Sequence, residues 1–356
     1  HQGIIWIGSD FGLKSYDGYR FTSFRSDATS PNILPHNTVL SLAEGKDNCL
    51  WIGTRNGLVK MDKRKGTFTT IPMDNSNQLT VYALYSSRNG DLWMGTNDGL
   101  ARYVGNGKKS FYTYNRKNTI VIGKDGKHLP LNNISVKSFA EDKDGQIYIG
   151  TWENDLYRLD PKRNILYRYN LWKPEDKISA YSLKLDHKGQ LWIGTWGNGL
   201  KCLTHPHNIK NPGYVDVNNS TTTYSIIYKI AEDPTTNTIW SCSREGLAIA
   251  STDNPKAGID CHQEIGMYTQ YKTQSVYDIC SDNQGNIWAL SRFNGLFHIG
   301  TRPSPFIISN FLDANRNIIG INSIYTQDGK LFYMSLFPVG IAVYDATSHH
   351  VAVSEE

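Results

Sequence analysis

The sequence predicts an all-β chain built from one repeated unit, and three observations carry that reading. A phrase of apolar residue, aromatic, apolar residue, Gly and Thr or Ser, followed within a few residues by Gly-Leu, is spelled clearly five times and in worn form three times more. The aromatics of successive copies lie 42 to 55 residues apart. Between copies run short β-rich segments bounded by Gly-bearing turns. A period in the forties with strand-like content points to a β-propeller of four-stranded antiparallel blades, one per repeat.

The clear copies begin at Ile5, Leu50, Leu92, Ile147 and Leu191, and the worn ones at Ile239, Ile287 and Leu331. The second copy shows the unit best. Residues 39–43 alternate and read as inner strand A, 50–54 as strand B, 57–61 as strand C and 67–71 as outer strand D. Further inner strands are expected at 81–85, 134–139, 181–185, 226–230, 276–280 and 321–325. The A–B turns are spelled Asn89-Gly90, Asp144-Gly145, Lys188-Gly189, Gln284-Gly285 and Asp328-Gly329, pairs that supply the positive φ of tight hairpins.

The repeated aromatics Trp6, Trp51, Trp93, Tyr148, Trp192, Trp240, Trp288 and Phe332 are expected to fill the wedge between neighbouring blades. The Gly two residues later would let a backbone approach closely. Eight B–C–D sets are visible but only seven inner strands, because the first copy is incomplete. Seven blades are favoured over eight. The expected division is a propeller over 1–300 and, over 301–356, a closing inner strand and eighth repeat that could start a second propeller. The chain opens inside a repeat, which reads as a fragment or mature form whose leader and first inner strand lie outside it.

Bulk properties exclude more than they identify. A net charge of +4, scattered along the chain, argues against a nucleic-acid contact or an anionic membrane surface. Five cysteines without C-x-x-C spacing indicate neither zinc nor a disulfide framework, although one bridge is open. No Gly-x-Ser-x-Gly elbow, zinc-protease motif or phosphate loop is present, and His205-Pro206-His207 lacks a nearby carboxylate. No cofactor, metal or catalytic group is expected.

The candidate binding residues follow Gly-Thr/Ser at the B–C hairpins, which in a propeller share one face with the D–A connections. Arg55, Asn97, Trp152, Trp196, Arg244 and Arg292 hold this position, and Asn198 lies beside it. Flat rings, forked donors and amides suit a sugar surface. Several neighbours, including Asn198-Gly199, are also ordinary turn chemistry. The insertion 115–132 reads as an extra hairpin over the same face, a lid or an interface arm.

The phrase Leu-Trp-Ile-Gly-Thr-x-x-Gly-Leu, with the opening 6–21 and the bridge 30–39, resembles the regulator-propeller repeats of hybrid two-component sensors, the polysaccharide-responsive receptors of gut anaerobes. The resemblance covers essentially the whole chain, is specific through the fifth copy and fades after Ile239. Asp155 departs from the usual Gly, and the Gly-Thr pair is lost from the sixth copy onward. The resemblance implies a periplasmic sensor region that binds an oligosaccharide and signals through a dimer. It further implies a second propeller and a small β-sandwich before a membrane helix and a histidine kinase, with no enzyme activity in this region itself. A propeller lyase or glycosidase and a protein-interaction scaffold stand as alternatives.

Overall fold

The computed structural model describes residues 3–26, 33–46, 48–72, 79–105, 111–132, 134–152, 156–176, 178–218, 225–260, 275–282, 284–291, 295–300, 320–326, 329–337, 341–345 and 350–354. Apart from two short 3-10 turns, Pro174–Asp176 and Pro255–Ala257, its regular elements are strands. Among the described residues no helix is long and apolar enough to cross a membrane. Among the described residues the strands form eight sheets, numbered here in chain order. Sheets 1 to 7 belong to a compact unit of residues 1–302, and sheet 8 belongs to a second unit of residues 303–356.

Sheet 2 is the plain form of the unit, with strands Val39–Glu44, Cys49–Thr54, Gly57–Asp62 and Thr67–Ile71 in antiparallel order. Sheet 1 begins with the strand Ile5–Ser9 and has no inner strand among the described residues. The inner strands of sheets 3 to 7 are Val81–Ser86, Val136–Glu141, Ser179–Leu185, Ile227–Asp233 and Val276–Ser281. From sheet 2 to sheet 7 each inner strand packs beside the next, so the sheets radiate from a common centre as propeller blades.

The core lies between sheets. Trp51, Trp93, Tyr148, Trp192 and Trp240 are buried, each in a cluster that joins its own sheet to the following one. Trp6 is partly buried against Leu13 and Val39. Trp288 of sheet 7 stands 6.1 Å from Tyr16 of sheet 1, and Phe332 packs 6.1 Å from Tyr344 of its own sheet. In the first five sheets the Gly two residues after the aromatic lies against the next inner strand. A Cβ on Gly95 would fall 2.7 Å from the Val136 carbonyl oxygen, and one on Gly194 would fall 2.6 Å from Ile227 Cγ2.

At the A–B end, one aspartate organises the turn. Asp142, Asp186 and Asp282 each accept two amide hydrogen bonds on Oδ1, as in Lys188 N to Asp186 (3.0 Å) and Gln190 N to Asp186 (2.8 Å). In sheets 5 and 7 the second oxygen then accepts a hydrogen bond from the indole N–H. Trp192 Nε1 donates to Asp186 Oδ2 at 2.9 Å and Trp288 Nε1 to Asp282 Oδ2 at 3.0 Å.

The insertion does not cover the B–C face as expected. Ile120–Ile122 pairs in parallel with the outer strand Ile165–Arg168, and His128–Leu129 adds beyond it, giving sheet 4 six strands. An apolar β-branched run beside an open outer edge finds its backbone partners there rather than over the mouth. His205-Pro206-His207 packs against sheet 4 and, against the sequence expectation, has a carboxylate beside it, since folding brings Asp142 Oδ2 to 3.5 Å from His207 Nδ1. Arg158 Nη1 donates to the His207 carbonyl at 2.7 Å, and the Tyr169 hydroxyl donates to that of Pro206. Cys49, Cys202, Cys242 and Cys280 form no disulfide among the described residues, and Cys261 lies outside them.

Candidate functional site

The Thr or Ser of the repeated phrase closes the B–C hairpin. Thr54 Oγ1 donates to the Gly57 carbonyl at 3.0 Å and accepts the Asn56 amide at 3.1 Å. Ser9, Thr96 and Ser243 do the same. The tips of sheets 2, 5 and 6 are also tied to the start of the next inner strand, as in Gly57 N to Leu79 O (2.8 Å) and Ser275 N to Arg244 O (2.8 Å). The tips and the inner-strand starts therefore share one end of the sheets. In sheet 5 the hairpin is one residue longer, with Thr195 bonding Gly199 at 2.7 Å, so Trp196 stays in the strand opposite Ser179.

At this same end every inner strand of sheets 2 to 7 carries a β-bulge, where the register shifts after its first buried residue. The extra residue is Leu40, Tyr82, Lys137, Tyr181, Tyr228 or Tyr277. A bulge re-aims its side chain out of the alternation. Five of these side chains, together with Trp152 and Trp196, form a continuous belt. Lys137 Nζ lies 4.7 Å from the Tyr82 ring and 5.7 Å from that of Trp152. Trp152 is 5.1 Å from Trp196, which is 5.3 Å from Tyr181 and 5.9 Å from Tyr228. Tyr228 stacks on Tyr277 at 4.6 Å.

Burial sets the charge state of the belt. It lowers the Lys137 pKa, raises that of Tyr181 despite Lys229 nearby, and pushes Tyr228 up to about 12, helped by its bond to Tyr277. The two phenols are thus neutral hydroxyls at physiological pH, able both to donate and to accept.

Of the residues singled out in the sequence, Trp152 and Trp196 come together in the belt. Arg55 and Arg244 are exposed at their tips. Asn97 braces its hairpin, its Oδ1 accepting the Thr80 amide at 3.0 Å. The Asn198 carbonyl accepts from Asn218 Nδ2 at 2.9 Å. Arg292 lies outside the described residues. Beside the Asn97 tip opens a cleft of about 210 Å³ lined by Asp98, Tyr114, Arg116 and Asn132. The bulge tyrosines and Lys137 were not anticipated. Their signal is a fixed dyad, a buried aliphatic followed by a large side chain, at the head of each inner strand: Val81-Tyr82, Val136-Lys137, Ala180-Tyr181, Ile227-Tyr228, Val276-Tyr277.

Residues 33–56, 75–98 and 128–153 match the two-component regulator propeller family. No curated protein sequence matches the chain. Among solved structures, 99% of the chain is similar to 50% of the extracellular domain of the putative hybrid two-component system BT4673 of B. thetaiotaomicron, at 21% identity and a TM-score of 0.48. It thus spans about half the length of that domain. A similar 99% aligns with 58% of PorZ, a surface component of the type IX secretion system of Porphyromonas gingivalis, at 12% identity and a TM-score of 0.60. A virginiamycin B lyase of Staphylococcus aureus aligns over 86% of this chain and 94% of its own, at 14% identity and a TM-score of 0.52. The last two likenesses show the propeller fold. The chain is an all-β propeller, three segments of which match the two-component regulator propeller family.

Proposed function

We propose that this chain is the ligand-binding sensor region of a two-component receptor and takes an oligosaccharide at the hairpin-tip end of the propeller. The belt carries this reading: six aromatic rings and one ammonium, contributed by five successive sheets, form one surface. Half-buried rings offer flat apolar area at low entropic cost, and their hydroxyls and the tip arginines supply the polar contacts that sugar hydroxyls need. The regulator repeats support the sensor role. On this reading residues 1–300 form a seven-bladed body closed by Tyr16 and Trp288, residues 301–356 begin the next module, and the region works in the periplasm within a dimeric receptor.

Calorimetry against plant and host oligosaccharides tests the proposal. The expected result is saturable binding without turnover, weakened about tenfold or more by Trp196→Ala or Trp152→Ala. Conversion of the bound glycan to product, or affinity unchanged when both tryptophans are replaced, overturns it.

A further inference from the structure

The opposite end of the propeller holds a second candidate site, revealed by comparing the sheets with one another. In sheets 5 and 7 the indole proton of the repeated Trp goes to the aspartate of the A–B turn. Sheet 3 has the same turn frame, with Ser87 N donating to Asp91 O and Gly90 N to Ser87 O, both at 2.9 Å. Yet the aspartate position is Ser87, whose hydroxyl bonds within the turn, to Asn89 and to the Asp91 carbonyl. Trp93, 1% exposed, keeps a buried Nε1–H without an acceptor, as does Trp240 of sheet 6, whose turn carries Asp233. A second buried donor, Arg102 Nε–H, also lacks one, and the Arg102 guanidinium lies over the Trp93 ring at 5.4 Å.

Trp93, Arg102, Ser87, Asn89 and Lys162 line one cleft of about 210 Å³, below the roughly 300 Å³ at which sites for drug-sized ligands begin. Of the acidic groups that line it, Glu141 pairs with Arg88 at 3.6 Å and Asp144 shares the lining with Lys162, while Asp91, outside the lining, pairs with Arg102 at 3.3 Å. A buried donor left without a partner costs free energy, and a charged acceptor recovers it best.

We propose that this cleft binds a small carboxylate, either a free short-chain acid or the acid group of a uronate. The ligand oxygen would take the proton that Asp186 and Asp282 take in their own sheets. The site stands apart from the belt and does not depend on the oligosaccharide reading.

The test is an indole-¹⁵N spectrum of the full chain, in which Trp93→Phe identifies one signal among nine tryptophans. Acetate and glucuronate are titrated at constant ionic strength beside acetamide and glucose. The Trp93 signal is expected to move and saturate with a carboxylate, while those of Trp192 and Trp288 stay in place. A response to acetate assigns a free acid, and a response to glucuronate alone assigns a sugar acid. Ser87→Asp, which installs the residue that the turns at Asp142, Asp186, Asp233 and Asp282 already carry, is expected to weaken the response about tenfold or more. A Trp93 signal that neither acid moves, that acetamide and glucose move equally, or that titrates unchanged in Ser87→Asp overturns the proposal.

Discussion

Trp192 and Trp196 belong to one strand of sheet 5, yet the first is fully buried and the second shares a surface with three other rings. Trp192 fills the gap between sheets 5 and 6 and gives its proton to Asp186. Trp196 touches Trp152, Tyr181 and Tyr228, each brought to it by another part of the fold. The contrast extends along the whole blade. The A–B end is built by local rules repeated from sheet to sheet. At the tip end, bulges from several sheets converge on a surface that no single repeat contains.

The largest expected effect separates these two tryptophans. Trp192→Ala is expected to destabilise by about 3–5 kcal/mol in denaturant unfolding, because it empties a closed inter-sheet site. Trp196→Ala is expected to cost under about 1 kcal/mol. Equal losses would break the comparison. Next comes Gly194→Val, expected to cost about 1–3 kcal/mol or more through overpacking, since even a Cβ there would lie 2.6 Å from Ile227 Cγ2. A neutral result would mean that the sheets separate more easily than their packing implies.

The smallest effect sharpens the account of the turn end. Burial pushes the Asp282 carboxyl up, but hydrogen bonds from Asn286, Trp288 and two amides outweigh it and hold its pKa below 3.8. A depressed carboxylate stabilises fully above its unfolded value, and that contribution is lost as pH falls through the folded pKa. Asp282→Asn is therefore expected to make thermal stability less steeply dependent on pH below about 4. An unchanged acid profile would remove the Asp–indole bond from the account.

Much of the blade was legible because it is written locally. The period located the inner strands to within a few residues, as with 276–280 against the observed Val276–Ser281. The Gly of Asn89-Gly90 has the positive φ its turn requires, at 101°. The insertion was legible as a hairpin but not in its placement, because its partner strand Ile165–Arg168 lies more than forty residues further along. The belt was half legible. Trp152 and Trp196 stood out by composition, whereas Tyr82, Lys137, Tyr181, Tyr228 and Tyr277 read as ordinary members of alternating strands. A bulge leaves no mark in the alternation itself.

By itself the sequence determined the repeat, the strand order within a blade, the aromatic wedge and the glycine that admits the next sheet. Each is settled by residues within one period, through strand alternation, turn chemistry and steric room. Only the tertiary structure decided that bulged side chains from five sheets meet two tryptophans in one belt, and that the Trp93 indole N–H beside Arg102 is left without an acceptor. The belt joins residues from different repeats and exists only once the sheets are arranged about a common centre, whereas Ser87, Trp93 and Arg102 share sheet 3 and meet through its own strand pairing and turn.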